Sequence, residues 1–171
     1  MKAAWVILVI AVALVLQTQT TLGRFMTRGT VAVDLVLVVV VYVALTSGPV
    51  TGLLAGTVAG LVQDALSSGV VGIGGLAKTI VGFLAGVVGS QFIVTQPLPR
   101  FVVFFGATLL DRVVFIGLYV LLDLRSFGPS YAAVAGQAVG NAVVGVVAFQ
   151  LVELLPGVVD RRRMARSRVR R

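Results

Sequence analysis

The chain alternates long apolar runs with short polar breaks, and the runs are continuous rather than striped. Apolar residues surround nearly every run, the pattern that lipid demands of a helix and water does not. Six spans are predicted. The first covers residues 3–22, is densest from Trp5 to Leu16, and ends in the polar QTQTT. Its short basic start also fits a signal peptide, but no small-x-small cleavage site follows the apolar run cleanly. The second, residues 31–46, carries VDLVLVVVVYVAL from Val33 and stops at Ser47-Gly48-Pro49, a helix end followed by a proline start. At 1.5 Å per residue this span covers roughly 24 Å, short of a hydrocarbon core of about 30 Å, which places Asp34 at a membrane interface.

The third span runs over 49–66 and the fourth over 76–94, joined by the glycine-rich SSGVVGIGG of residues 67–75. TQPLPR breaks the chain before the fifth span at 101–122, and DLRSFGPS breaks it before the sixth at 131–155. Valine also favours strands. Length decides for helices, because transmembrane strands need about ten residues of strict alternation and these runs are longer and unbroken. The predicted class is therefore all-α, a six-helix polytopic membrane bundle over residues 1–155 with a basic tail at 156–171. A five-span arrangement, with the short third span as a re-entrant loop, is the alternative.

Composition agrees with a membrane solvent. Of 171 residues, 58% are hydrophobic and 12% charged, with a mean hydropathy of +1.09. The formal charge of +8 suggests nucleic acid only until it is located: residues 160–171 hold seven of the arginines, and the remaining chain is close to balanced. With a cytoplasmic N-terminus, the inside carries Lys2, Arg100 and the tail, and the outside Arg24, Arg28 and Arg125. The excess of positive charge puts both termini in the cytoplasm. The tail is read as a topology anchor that touches anionic lipid headgroups, not nucleic acid.

The polar positions inside the spans carry the remaining information. Gly52, Gly56, Gly60 and Asp64 lie four apart, so on a helix they form one ridge. Lys78, Gly82, Gly86 and Ser90 repeat the spacing on the fourth span. Small residues let lipid-immersed backbones approach, so both ridges are read as helix-packing faces or as docking faces for a partner. Asp64 and Lys78 flank the connecting turn and are expected to pair. Asp111 and Arg112 sit near the centre of the fifth span. About fifteen strongly apolar side chains there contribute roughly −7 kcal/mol to insertion, and two central charges cost about +6. That helix needs neighbours, and Gln137, Asn141 and Gly145 of the sixth span offer a polar stripe to hydrogen-bond its charges.

Catalysis needs polar groups converging around a cavity. With no histidine, no cysteine and six scattered acidic residues, no catalytic, cofactor or metal site is expected. The candidate site residues are thus the glycines at 52, 56, 60, 82 and 86 (Gly52, Gly56, Gly60, Gly82 and Gly86) and the intramembrane polar set Asp34, Asp64, Lys78, Asp111, Arg112 and Asn141.

Residues 31–90 resemble the MreD family of rod shape-determining membrane proteins. The shared elements are the Asp34 entry to an apolar helix, the Gly48-Pro49 start, the G-x-x-x-G-L-x-x-D-x-x-S run at 56–67, Gly72, and the glycine pair at 82 and 86. The resemblance implies a non-catalytic scaffold of the elongasome in the bacterial inner membrane. Its implied partners are MreC, RodA and its class B transpeptidase, and the cytoskeletal MreB. The implied fold is similar to the six-helix substrate-binding subunits of energy-coupling factor vitamin transporters. A second reading makes the chain itself such a vitamin-binding subunit. Against it, the first span has no A-x-x-x-A pair and the first loop is too short to cap a ligand.

Overall fold

The computed structural model describes residues 33–67, 70–92, 96–123 and 131–168, with side chains in the last stretch as far as residue 152. The first predicted span, Arg24, Arg28, Arg125 and the side chains of the basic tail lie outside the described residues. Five helices and no strand occur among the described residues: α1 (Leu35–Ser47), α2 (Pro49–Leu66), α3 (Ile73–Gln91), α4 (Pro97–Leu121) and α5 (Tyr131–Arg168). All but α1 are long and apolar enough to cross a membrane, α5 over its Tyr131–Val152 portion.

The bundle is organised around α1. This helix touches each of the other four, which follow one another around it with α2 against α3, α3 against α4 and α4 against α5. Its valines carry a strand-like preference, yet Val36, Val38, Val40, Val41 and Val43 are all buried together with Leu37 and Ala44. Packing on every side overrides the propensity. Asp34 caps the helix, its carboxylate accepting from the Leu37 N–H at 3.0 Å, as aspartate does at a helix start. Gly48 then ends α1 with φ at +89° and Pro49 opens α2. Glycine supplies the positive φ without strain, and proline loses no hydrogen bond in a first turn.

The glycines draw α2 and α3 into backbone contact along an antiparallel hairpin. Gly52 lies against the Gly82 carbonyl, Gly56 against the carbonyl of Lys78, and Gly86 against the backbone of Pro49. Gly60 sits where a Cβ would come within 2.6 Å of the Gly75 Cα. At this separation Thr57 and Thr79 share a hydroxyl hydrogen bond of 2.8 Å across the seam. Such contact substitutes for the hydrophobic drive that lipid does not provide.

Two helices start earlier than the glycine and proline breaks predict. α3 begins at Ile73, not Leu76, because Gly72 adopts a left-handed φ of +110° and the chain coils directly after it. Gly74 and Gly75 are therefore helical residues under α2. α4 begins at Pro97, not Phe101, and both prolines of the break fall in its first turn, where their missing N–H groups are harmless. Against this tight hairpin, the α3–α4 seam is loose. An apolar cavity of about 210 Å³ runs along it between Val81 to Val88 and Val102 to Leu110.

Candidate functional site

One charged cluster occupies the centre of the bundle, assembled from four helices and the cap of α1. Lys78 of α3 reaches the Asp34 carboxylate at 3.0 Å and stands 3.6 Å from Asp111 of α4. All three side chains are buried, with residue exposures of 5%, 4% and 2% in that order. Gln63 of α2 approaches Asp34 at 3.5 Å. Asn141 of α5 is fully buried. Its side-chain oxygen accepts from the Asp34 N–H at 2.8 Å and its amide donates to the Thr108 hydroxyl of α4 at 3.1 Å. Arg112 is half-buried, and its field reaches Asp34, Lys78 and Asp111. Two carboxylates and two cations leave the cluster formally neutral.

Neutrality is what makes the arrangement tolerable. A single ion in a low-dielectric interior carries a desolvation penalty of several kcal/mol, offset only when opposite charges and hydrogen bonds surround it. The cluster also fixes register. Asp34, Lys78, Asp111 and Asn141 touch only if α1, α3, α4 and α5 sit at one relative depth. A second tie forms elsewhere: Arg100 in the first turn of α4 stacks on Phe149 of α5 with its guanidinium 4.0 Å from the ring centre, and Phe149 meets Tyr42 of α1 edge-on at 4.9 Å. Arg100 is 2% exposed. Sequence reasoning missed both this stack and the Thr57–Thr79 bond; the proline pair before Arg100, permissible in a first helical turn, was the available signal.

Two expectations are corrected. Asp64 does not pair with Lys78. Lys78 lies opposite Gly56, two turns of α2 or about 12 Å from Asp64 at 1.5 Å per residue, because the hairpin closes before Gly72 and not at the middle of the glycine-rich stretch. Asp64 instead accepts from the N–H groups of Gly72 at 2.9 Å and Gly75 at 3.0 Å, capping the start of α3 from the neighbouring helix. Asn141 binds the Asp34 backbone and Thr108, not the charges of α4. Asp34, expected at a membrane interface, is buried within the bundle beside Lys78.

The capping role has a measurable consequence. Asp64→Ala should destabilise the folded chain by about 1 kcal/mol, the usual cost of a lost helix cap, read from denaturant unfolding in detergent. Exchanging the charges, Asp64→Lys with Lys78→Asp, should give a protein worse than either single variant. A rescued double variant would restore the pairing that the geometry excludes.

Nothing in this cluster presents a reacting geometry. Its carboxylates face a lysine, and no group of three or more histidine, cysteine or acidic side chains with metal-binding arrangement occurs among the described residues. The glycine-locked hairpin and the neutral charge cluster define a class: a polytopic helical membrane protein whose polar side chains serve contacts between helices. The chain belongs to the MreD family, and the family model for rod shape-determining protein MreD matches residues 1–156. No curated protein and no solved structure matches it. Family membership gives it a role in rod shape determination.

Proposed function

We propose that the chain is a non-catalytic scaffold of the complex that builds lateral peptidoglycan. It crosses the bacterial inner membrane six times with both termini in the cytoplasm, in an arrangement similar to the vitamin-binding subunits of energy-coupling factor transporters. It binds MreC, and through MreC it positions RodA and its class B transpeptidase relative to MreB. The family match carries this reading. The use of Asp34, Lys78, Asp111 and Asn141 in contacts between helices supports it, since a bundle held in register by buried polar contacts suits a positioning role.

Docking would rest on packing and a few polar contacts, because lipid gives apolar helices little reason to associate. By holding MreC in one pose, the bundle shifts the synthase toward its active state by no more than its difference in affinity for the two states. Co-expression with MreC and purification in mild detergent is the direct test. MreC should elute with the chain at fixed ratio, and a folded chain that elutes without MreC would sink the proposal.

A further inference from the structure

The contact between Lys78 and Asp111 is incomplete. At 3.6 Å the ammonium and the carboxylate attract, but they stand outside hydrogen-bond range. Asp111 Oδ1 is buried and accepts no hydrogen bond among the described residues. Two more buried atoms of the same cluster share that condition, the acceptor Gln63 Oε1 and the donor Arg112 Nε. Buried polar atoms in folded proteins are paired with protein groups or with internal water. A polar contact beyond 3.5 Å raises the question whether a water bridges it.

The chemistry of the surrounding atoms selects the occupant. It must donate to Asp111 Oδ1 and accept from Lys78 Nζ, which retains N–H groups after binding Asp34. A cation would face the ammonium and an anion the carboxylate, while an apolar group would leave both unpaired. A water molecule meets both demands. It keeps one hydrogen and one lone pair, matching in kind the orphaned Gln63 Oε1 and Arg112 Nε. Next to this contact α3 and α4 do not close tightly, since an apolar cavity lies along their seam from Val81 and Leu110 outward.

We propose that the α3–α4 seam holds an internal water bridging Lys78 Nζ and Asp111 Oδ1. Such a bridge stands whether or not the chain is a scaffold. It couples α4 to the hairpin through an exchangeable partner, so α4 can shift against α3 without stranding either charge.

Lysine occurs at positions 2 and 78 alone, so Lys2→Arg leaves a single lysine signal. The test uses that full-length chain, labelled with nitrogen-15 lysine, in lipid bilayers and measures polarisation transfer from water by solid-state NMR. Lys78 Nζ should receive water polarisation several-fold faster than the buried backbone amides of α1. Asp111→Glu, longer by one methylene, should reach Lys78 directly and slow the transfer several-fold. Transfer to Lys78 no faster than to the α1 amides overturns the proposal. So does a rate that Asp111→Glu leaves unchanged.

Discussion

Lys78→Met should destabilise the bundle by about 3–5 kcal/mol, the usual result of removing one partner from a buried ion pair. Two carboxylates, on the cap of α1 and within α4, lose the ammonium that faces both, and Arg112 alone is left to balance them. Against a total stability of about 5–15 kcal/mol, that is enough to lower both the unfolding midpoint in detergent and accumulation in the membrane. Methionine keeps most of the volume, so the loss reports charge and not packing. Neutralising the whole set should reverse much of it. Lys78→Met combined with Asp34→Asn and Asp111→Asn removes every unpaired charge but Arg112, and asparagine still caps α1. A triple variant no more stable than Lys78→Met would refute the cluster as an electrostatic unit.

Gly56→Ala carries the second large effect. Its new methyl would collide with the carbonyl oxygen of Lys78 and sit 2.6 Å from that carbonyl carbon. Backbone cannot rotate aside as a side chain can, so α2 and α3 must separate. Separation breaks the Thr57–Thr79 hydrogen bond and carries Lys78 away from Asp34. Overpacking of this kind costs about 1–3 kcal/mol, occasionally more. Gly106→Ala on α4 is the matched control, since a methyl there meets nothing within 4 Å. It should leave stability unchanged or raise it by up to about 1 kcal/mol, because alanine is the better helix former at an open position in a helix. Denaturant midpoints of the two variants measured side by side decide the matter. Equal midpoints would mean that the hairpin does not rely on backbone contact. Both disruptive changes act on the same centre, so each should also impair maintenance of rod shape in cells that depend on this chain.

The small-residue ridges are legible in the sequence because four-residue spacing on a helix is a local geometric fact. Gly52, Gly56 and Gly60 share a face wherever the helix goes. The end of α1 at Gly48-Pro49 is equally plain, since a positive φ and a missing N–H are properties of those two residues. Asp64 defeats sequence reasoning for the opposite reason. Which residue of α3 lies opposite depends on where the hairpin turn closes, and that depends on Gly72 taking a left-handed conformation and on Gly74 and Gly75 fitting under α2. The stack of Arg100 on Phe149 is equally hidden, because nothing local to either residue names its partner.

Lipid as solvent, an all-helical fold and packing through glycine follow from the order of residues alone, because hydropathy and helical periodicity act over a few turns of chain. The partners of the charges do not. The sequence offers Lys78 six acidic side chains, and the choice of Asp34 and Asp111 over Asp64, its neighbour across the turn, is made by the relative depth of α1, α2, α3 and α4. Depth is set when whole helices dock, by the sum of their contacts, and a buried charge then pairs with whatever opposite charge that docking brings within a few ångströms.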